Sequence, residues 1–461
     1  MRPMTRSGPA RLTGVHRLVW CCAALCSLFL AAPLARAEEA PGCNIGSYRL
    51  EGGSLVDIAP STGDTMRWRR FDGTTGALTK TDTGIWASSY GWTGRSDGKS
   101  VRFADCAAGQ IDFDGLEGRR IAFDAADTNF QSHGVTLTGR LVLPKGDGVV
   151  PIVVLVHGAE HDSAREFYYL QRMLPAEGVG AFVYDKRGTG ASGGSYSQDF
   201  SLLADDAVAA LRAAQRLAGS RAGRIGYQAG SQGGWVAPLA ANRAHADFVI
   251  VCFGLAVTVI QEDQEEVTIE MQEKGHSPEE IRDALKVADA AETVLASGLA
   301  RGFAQFDALR AKYRDAPWYK DLHGNYTWAL LPHSEAQLRA MAPEFRWGTP
   351  FHYEPMPTLR ANRTPQLWIL GTEDYEAPSA ETGRRIKSLI AEGRPFTLAL
   401  YPGAEHGINL FETTPAGERL DTRYAEGYFA MIRDFARDGQ LHDSYGNAAL
   451  TTSPNRAQRQ R

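Results

Sequence analysis

The stretch Arg224-Ile-Gly-Tyr-Gln-Ala-Gly-Ser-Gln-Gly-Gly-Trp235 decides how this chain folds. An apolar strand pattern runs into a tight turn of small residues, and a segment compatible with a helix follows it. Ser231 sits in the turn, and the residues two before and two after it, Ala229 and Gly233, are small enough for the close backbone approach of a sharp bend. The pattern predicts a strand, a turn and a helix that present the Ser231 hydroxyl at the end of a sheet strand.

Apolar runs rich in β-branched residues recur on both sides of this unit. Runs of this length predict strands that are buried on both faces, as in the centre of a parallel sheet. Helical patterns separate them, for instance over residues 204–217 and 381–389. Strands that alternate with helices predict an α/β fold with a doubly wound, mostly parallel sheet. The runs cover residues 151–156, 181–184, 224–227, 248–253, 366–370 and 396–401.

The alternation stops between residues 253 and 366, where helical, charged segments give way to a stretch dense in aromatic residues. An insertion at this point predicts a helical cap over the turn that holds Ser231. Residues 43 to about 118 instead show short alternating segments separated by turn signals such as Asp72-Gly73, which predicts a small antiparallel β module. After a leader at 1–37, we expect a β-rich module at 38–118, the first part of the α/β core at 119–254, the cap at 255–360, the second part of the core at 361–440 and a disordered tail at 441–461.

The first 37 residues predict a cleaved export signal. Four arginines precede an apolar run at residues 18–34, and Ala35-Arg36-Ala37 places small residues at the two positions that a signal peptidase reads. The run is shorter than the roughly 20 apolar residues that cross a bilayer, which disfavours a membrane anchor. Loss of this segment removes five arginines and no acid, and shifts the formal net charge from -5 to about -10. We expect a periplasmic or extracellular chain without nucleic-acid or membrane partners.

Three cysteines follow the signal: Cys43, Cys106 and Cys252. In an oxidising compartment Cys43 and Cys106 are candidates for a disulfide across the β module, although spacing alone leaves the pairing open. Cys252 lies in the apolar run 248–253, where we expect a buried free thiol.

A serine hydroxyl needs a base and an orienting acid to act as a nucleophile at neutral pH. The loop after the fifth apolar run carries Asp374, three residues past a glycine, with Glu373 and Glu376 as competitors. His406 follows the sixth run, on a loop flanked by glycine, and one further histidine lies beyond it. The chain order serine, acid, histidine therefore predicts a triad of Ser231, Asp374 and His406.

The negative charge that develops on an attacked carbonyl oxygen needs two backbone donors. We expect one to be the N–H of Gln232, directly after the serine, and the other the N–H of Ala159, in the loop after the first run. The nearby His157 and His161 lack a third ligand in the sequence, which argues against a metal. The glycines of the loop 185–194 resemble a phosphate loop but lack its Gly-Lys-Ser/Thr ending. We therefore expect neither a metal nor a cofactor.

Together these residues resemble the α/β-hydrolase superfamily over roughly residues 130–437. Its serine aminopeptidase-like and dienelactone hydrolase-like branch, which includes many esterases, is the most similar. Dienelactone hydrolases use a cysteine nucleophile where this chain has Ser231, so the resemblance does not imply their reaction. The resemblance is carried by His157-Gly158, Asp185-Lys-Arg-Gly188 with Gly190 and Ser192, Gly230-Ser-Gln-Gly-Gly234, Asp374 with Pro378, and His406-Gly407.

The residues and the resemblance imply a serine esterase that cleaves a small-molecule ester through an acyl-enzyme. An aminopeptidase or amidase with the same triad is the alternative, in which Glu160 or a cap glutamate holds the amine of a short peptide-like substrate. A non-catalytic binding protein on the same scaffold is a third interpretation, against which the intact triad argues. The pattern identifies no substrate-binding residue, because the cap shapes the pocket.

Overall fold

The computed structural model describes residues 42–104 and 108–453. The predicted signal at residues 1–37 lies outside the described residues, as does Cys106, the candidate partner of Cys43. Cys43 is disulfide-bonded, and Cys252 is a buried free thiol, as its apolar run predicts. No helix in the two described ranges combines the length and the hydrophobicity that a membrane crossing needs.

The strands of the described residues fall into three sheets. They are β1 (Gly46–Leu50), β2 (Leu55–Pro60), β3 (Met66–Arg69), β4 (Thr75–Lys80), β5 (Trp86–Tyr90), β6 (Ser96–Phe103), β7 (Gln110–Phe113), β8 (Leu116–Arg120), β9 (Phe123–Ser132), β10 (Val135–Pro144), β11 (Val150–Val156), β12 (Gly180–Tyr184), β13 (Ala222–Gly230), β14 (Val249–Cys252), β15 (Gln366–Gly371), β16 (Phe396–Tyr401), β17 (Ala404–Glu405), β18 (Asn409–Thr413), β19 (Arg419–Tyr424) and β20 (Ala449–Thr452).

Helices connect most strands of the second half of the chain. They are α1 (Ala164–Phe167), α2 (Leu170–Ala176), α3 (Phe200–Ala218), α4 (Gly233–Arg243), α5 (Val259–Glu273), α6 (Pro278–Ala296), α7 (Phe303–Tyr313), α8 (Thr327–Leu330), α9 (Glu335–Met341), α10 (Met356–Ala361), α11 (Ser379–Ala391) and α12 (Tyr428–Asp438).

Strands β1 to β8 close into a small antiparallel barrel. Each strand pairs with the next, and β8 returns to β1 with Arg120 opposite Tyr48. Side chains alternate between inside and outside along each strand. The inward apolar residues fill the barrel, where Trp68 and Phe113 pack edge to face with 5.2 Å between ring centres. This barrel is the antiparallel β module that the sequence predicts, and closure removes its unpaired edges.

Strands β9 to β16 and β20 form a nine-stranded sheet in the order β20-β16-β15-β14-β13-β11-β12-β10-β9. The central strands, β11 to β16, run parallel, whereas β9, β10 and β20 pair antiparallel at the two edges. Helices cover both faces, with α3, α4 and α11 on one side and α2 and α12 on the other. Along β11, Val154 faces the first helix layer and Leu155 the second. The prediction of a doubly wound α/β sheet is confirmed.

The C-terminal segment differs from the sequence prediction. Instead of being disordered from residue 441, the chain forms β20, which pairs antiparallel with β16 and places Thr452 opposite Thr397. Tyr445 anchors the approach, because its buried hydroxyl donates to Asp434 at 2.9 Å. A four-residue edge strand is held by hydrogen bonds to its neighbour rather than by its own pattern. The polar composition of the segment therefore gives no sign of strand β20.

Helices α5 to α10 are inserted between β14 and β15, and form the helical cap that the sequence predicts. Capping boxes at Thr258 and Ser277 start α5 and α6. The cap has its own apolar core, which includes Val267 and Phe306. Trp318 is buried in that core, so this aromatic side chain serves packing within the cap.

The barrel docks on the α/β core beside a small third sheet, formed by β17, β18 and β19. Tyr424, the last residue of β19, donates its backbone N–H to the Gly73 carbonyl at 2.9 Å. The Tyr424 hydroxyl accepts a hydrogen bond from the buried Arg69 at 3.1 Å. The barrel thus contacts the small sheet at β19. Strand β17 of the same sheet ends at Glu405, the residue before His406.

The Asp57–Arg172 ion pair also fastens the barrel to the core. Arg172, on α2, donates two hydrogen bonds to the Asp57 carboxylate, at 2.9 and 3.0 Å, and both side chains are largely buried. Removing one partner of a buried pair leaves the other charge uncompensated, so Arg172→Ala is expected to lower the free energy of unfolding by about 3 kcal/mol. Chemical denaturation measures this loss.

The exposed pair Arg360–Glu392 supplies the control for that measurement. Arg360→Ala is expected to leave the free energy of unfolding nearly unchanged, because solvent screens an exposed pair. An equal loss in Arg172→Ala and Arg360→Ala would contradict the stabilising role of the buried contact.

Candidate active site

The turn predicted around Ser231 joins β13 to α4. Ser231 has a φ of 50°, in the left-handed region that residues other than glycine rarely adopt. Its N–H donates to the Cys252 carbonyl at 3.1 Å, and its own carbonyl accepts from the Gly234 N–H at 2.8 Å. A Cβ on Gly233 would lie 2.9 Å from the His157 carbonyl oxygen, so the bend requires glycine there. Such a turn presents its side chain at the carboxyl edge of the sheet.

Asp374 and His406 meet in the loops that follow β15 and β16. The His406 Nδ1 lies 3.1 Å from each oxygen of the Asp374 carboxylate. Asp374 is buried, and it also accepts from the Ala377 N–H at 2.8 Å, which fixes the carboxylate. The two loops are joined through the backbone, since the Glu373 N–H donates to the Ala404 carbonyl at 2.9 Å. The imidazole is therefore held with Nδ1 toward the acid and Nε2 away from it.

The pKa of His406 reflects this partner. Burial lowers the pKa, but the charge of Asp374 and its hydrogen bond, with a further contribution from Glu376, raise it to about 9. The imidazole is consequently protonated at neutral pH for most of the time, and a base of this kind becomes active as the pH rises.

We expect the pH dependence of kcat/KM to report this raised pKa. A general base must be unprotonated, so kcat/KM for a neutral nitrophenyl ester is expected to rise with pH and to level off only near or above about 9. In Asp374→Asn, which loses the charge that raises the pKa, the inflection is expected to move toward 6.5 or below. A pH series corrected for spontaneous hydrolysis measures both profiles, and coincident inflections would contradict the role of Asp374.

The two competing carboxylates of the same loop make other contacts than Asp374 does. Glu376 Oε2 lies 3.7 Å from His406 Nε2, on the side of the ring away from Asp374. The Glu373 carboxylate lies 3.8 Å from Arg419. Of the three acids, Asp374 therefore contacts Nδ1, the nitrogen through which an orienting acid acts.

Ser231 and His406 share the carboxyl edge of the parallel strands, where the ends of β13 to β16 meet. The Phe253 ring contacts both loops. A Cβ on Gly230, next to Ser231, would lie 2.8 Å from this ring, and the centres of the Phe253 and His406 rings are 4.8 Å apart. Within residues 42–104 and 108–453, no hydrogen bond joins the Ser231 hydroxyl to His406. In many enzymes this bond tightens only in the complex with substrate. The structure thus pairs the histidine with its acid and places the serine at the same edge.

The two predicted oxyanion donors flank Ser231. Gln232 is the N-cap of α4, a position whose N–H has no acceptor within the helix. The loop that holds Ala159 passes beside the serine, since a Cβ on Gly158 would lie 3.4 Å from Ser231 Cβ. The Tyr196 hydroxyl donates to the Ala159 carbonyl at 2.6 Å, which holds the loop at the peptide that follows Ala159. The loop of Ala159 and the N-cap residue Gln232 therefore both lie beside Ser231.

Lys186 joins the loops of the two predicted oxyanion donors, although its position in the sequence indicates no such role. Its ammonium donates to the Gly158 carbonyl at 2.7 Å and to the Gln232 side-chain oxygen at 3.1 Å, and the residue is only 2% exposed. Burial lowers the pKa of Lys186 to about 8, against the opposing charge of Glu160. The available signal was the stretch Asp185-Lys-Arg-Gly188, which contributes to the family resemblance.

We expect Lys186→Met to lower kcat by roughly 10- to 100-fold with little change in KM, because a small displacement of the loops misplaces both oxyanion donors. Steady-state kinetics on a nitrophenyl ester measure the two constants, with the exposed Lys387→Met as the control. A raised KM with an unchanged kcat would assign Lys186 to substrate binding instead.

His157, His161 and Glu160 are engaged with neighbouring groups. His157 Nε2 donates to a backbone carbonyl, and the His161 ring stacks on Tyr196 with 3.6 Å between ring centres. Glu160 accepts a hydrogen bond from the Tyr168 hydroxyl. In the part of the chain that the structure describes, neither histidine belongs to a group of residues able to hold a metal.

The first cap helix carries a buried carboxylate that interacts electrostatically with His406. Glu262, on α5, is buried, and its Oε2 has no hydrogen-bond partner among the described residues. Burial raises the pKa of Glu262 well above its usual range, the charge of Asp263 adds to the rise, and the charge of His406 opposes it. This coupling to His406 places α5 within electrostatic reach of the site. Sequence alone does not distinguish Glu262 from the other acids of the same charged helix.

Known proteins resemble parts of this chain. Residues 149–289 match the family described as serine aminopeptidase, S33, and no curated protein is detectably similar in sequence. An acylaminoacyl peptidase of Pyrococcus horikoshii is 14% identical with a TM-score of 0.42, over 84% of this chain and 57% of its own. An esterase of Pyrococcus furiosus is 15% identical with a TM-score of 0.38, over 62% of this chain and 84% of its own. A Butyrivibrio proteoclasticus protein with ferulic acid bound is 16% identical with a TM-score of 0.38, over 67% of this chain and 96% of its own.

The chain thus spans little more than half the length of the acylaminoacyl peptidase, at 57%. All these identities and TM-scores are low. Three other observations identify the α/β-hydrolase fold: the strand order, the left-handed turn at Ser231 and the family match over residues 149–289.

Proposed function

We propose that this chain, a serine hydrolase with the α/β-hydrolase fold, cleaves carboxylic esters of small molecules through an acyl-enzyme. The observation that carries the proposal is the hydrogen-bonded pair of Asp374 and His406 at the same sheet edge as the strained turn of Ser231. A nucleophile, an oriented base and two backbone donors at one edge are what acyl transfer needs. The family match over residues 149–289, which include Ser231, supports the same class of enzyme.

In the proposed first step, neutral His406 takes the proton of the Ser231 hydroxyl at Nε2 while Oγ attacks the ester carbonyl carbon. Asp374, bonded to Nδ1, keeps the imidazole in the required tautomer and stabilises the imidazolium. The carbonyl oxygen becomes an oxyanion that accepts from the N–H groups of Ala159 and Gln232, each of which contributes about 3 kcal/mol in comparable sites. The imidazolium then protonates the departing alcohol, which leaves an acyl-serine.

Water completes the cycle by the same chemistry. His406, neutral again, removes a proton from a water molecule whose oxygen attacks the carbonyl carbon of the acyl-enzyme. The second tetrahedral intermediate collapses, the carboxylic acid leaves, and the proton held on Nε2 returns to Ser231 Oγ. This sequence of steps uses neither a metal nor a cofactor.

A panel of nitrophenyl esters of increasing acyl length, assayed beside aminoacyl nitroanilides, tests the proposal. We expect saturable ester hydrolysis above the rate without enzyme, and much slower cleavage of the nitroanilides. Faster cleavage of a nitroanilide than of any ester would reject the ester assignment. Failure to turn over any substrate in the panel would favour the non-catalytic interpretation.

An aminopeptidase or amidase with the same triad is the second candidate function, and Glu262 favours it. Its buried carboxylate has an oxygen without a hydrogen-bond partner among the described residues, and such a group is suited to hold a substrate ammonium. Glu160, the other proposed amine ligand, already accepts from Tyr168. If this function holds, Glu262→Gln raises KM for aminoacyl nitroanilides and changes that for a neutral ester little. Equal changes for both substrates would contradict it.

We also propose that the chain is exported and that its signal is cleaved after Ala37. The arginine-rich start, the apolar run at 18–34 and the small residues at 35 and 37 support this step. N-terminal sequencing of the chain from the periplasm or the medium is expected to begin at Glu38. An intact Met1 in a membrane fraction would instead favour an anchor.

A further inference from the structure

Helix α5 of the cap has a row of acids on one face, which begins at Glu262 and continues toward the end of the helix. Glu262, Glu266 and Glu270 are spaced four residues apart, so they lie on one face of the helix. The chain segment at 322–326 passes over this face and brings His323 against it. One ligand atom each of Glu266, Glu270 and His323 lies within 4.8 Å of the other two.

Hydrogen bonds hold the segment 322–326 on α5 at this position. The Asp263 carboxylate accepts from the backbone N–H of Tyr326 at 2.6 Å and from the Thr327 hydroxyl at 2.5 Å. Gly324 N–H donates to Glu270 Oε2 at 3.1 Å. Gly324 has a φ of 78°, and a Cβ there would lie 2.8 Å from Asp263 Oδ1, so the close approach of the two segments requires glycine. The three side chains are thus brought together by a fixed backbone.

His323 is oriented toward the acids. Its Nδ1 lies 3.4 Å from Glu270 Oε1 and has no hydrogen-bond partner among the described residues. The indole of Trp328 stacks on the imidazole, with 5.4 Å between ring centres and 3° between ring planes. The stacking limits rotation of the ring and keeps a nitrogen directed at the carboxylates.

Among the described residues, Glu266 has no hydrogen-bond or ion-pair partner that explains its burial. It is 5% exposed, and its Oε2 has no hydrogen-bond partner in residues 42–104 and 108–453. Glu292, from α6, is also buried with an unpartnered Oε1. No lysine or arginine of the described ranges forms an ion pair with either carboxylate. A buried carboxylate oxygen without a hydrogen-bond partner, next to a second carboxylate and an imidazole, is a group that a cation can bind.

We propose that Glu266, Glu270 and His323 bind one divalent transition-metal cation of the Zn²⁺ type. Two carboxylate oxygens and one imidazole nitrogen form a donor set that zinc accepts in proteins. The cation would link α5 to the segment 322–326 and stabilise the cap. It takes no part in the proposed ester hydrolysis, whose groups lie on the loops of the sheet. The sequence offers no comparable signal, because His323 lies 53 positions after Glu270.

Calorimetric titration of the tag-free, EDTA-treated full chain with ZnCl₂ tests this site. We expect one Zn²⁺ per chain, and a Tm that rises with Zn²⁺ concentration because the cation binds the folded state. Loss of a residue that only hydrogen-bonds to a metal ligand typically weakens metal binding by about 10- to 100-fold. Glu266→Gln and His323→Ala each remove a ligand itself, so each is expected to weaken Zn²⁺ binding by more than this. MgCl₂ is expected to give no saturable heat, since Mg²⁺ prefers an octahedral set of oxygen ligands.

Two exposed cap residues, Glu279 and His352, supply the matched controls. Glu279→Gln and His352→Ala are expected to leave the Zn²⁺ affinity unchanged. The side chain of His323 is 46% exposed, so its replacement spares the apolar core and keeps the test valid if Glu266→Gln fails to fold.

Failure of wild type to bind Zn²⁺ stoichiometrically would overturn the proposal, as would unchanged binding in His323→Ala. Saturable Mg²⁺ binding at the same site would overturn the assignment to a transition metal. Ester hydrolysis in EDTA is a separate measurement, so failure of the metal site and failure of the proposed function are distinguishable.

Discussion

In Ser231→Ala, ester hydrolysis is expected to fall to the residual rate that an oxyanion hole alone supports, about 10³-fold over water. The loss is large because Oγ is the atom that attacks the carbonyl carbon. Alanine keeps the Cβ that the turn already accommodates, so far-UV circular dichroism and Tm are expected to remain those of the wild type. A nitrophenyl ester assay at saturating substrate measures the turnover.

The exposed Ser54, in the barrel, supplies the matched control. Ser54→Ala is expected to retain wild-type turnover, since it lies outside the proposed machinery. Wild-type turnover in Ser231→Ala would remove the serine from the mechanism.

The second large effect is expected in Asp374→Asn, which should lose about 10⁴-fold in turnover. The asparagine amide presents an N–H where the imidazole Nδ1–H needs an acceptor, and so favours the wrong tautomer of His406. Asparagine has nearly the same shape as aspartate, so the loop that follows β15 keeps its backbone hydrogen bonds. Turnover at the pH optimum of each enzyme separates this effect from the shift of the pH profile.

Glu376→Gln is the control for the orienting acid, because Glu376 lies on the Nε2 side of the same imidazole. We expect it to lose less than about tenfold in turnover, since its ion pair is with Nε2 and Asp374 remains at Nδ1. A large loss in Glu376→Gln with a small loss in Asp374→Asn would transfer the orienting role to Glu376.

The strand, turn and helix around Ser231 were predictable because their causes are local. Small residues next to Ser231 are what a left-handed backbone in a crowded turn requires, and its φ of 50° is the consequence. The parallel sheet was predictable for a similar reason, since a strand buried on both faces needs a continuous apolar run.

The placement of Asp374 and His406 was predictable from chain order combined with topology. Consecutive parallel strands deliver their following loops to one edge of the sheet, where β15 and β16 are neighbours. What the sequence does not show is how Asp374, rather than Glu373 or Glu376, comes to contact Nδ1. In the structure, the Glu373 N–H donates to the Ala404 carbonyl and so joins the two separate loops.

Lys186 and Glu262 illustrate contacts that no local sequence pattern predicts, although Lys186 lies in a stretch that contributes to the family resemblance. In the amino-acid sequence, both residues resemble ordinary charged surface residues. Lys186 stands in a glycine-rich loop, and Glu262 stands in a helix with many charges. Their significance arises from burial, which is a property of the assembled core and cap. The contact between Tyr424 and Arg69 is likewise invisible locally, because 355 positions separate the two residues.

Labelling with a fluorophosphonate probe, read by intact mass and peptide mapping, tests most directly whether Ser231 is a nucleophile activated by His406 and Asp374. We expect one adduct per chain, located on Ser231, with no adduct in Ser231→Ala and strongly slowed labelling in Asp374→Asn. An adduct on another residue of the wild type, or labelling of Ser231→Ala at the wild-type rate, would contradict this assignment.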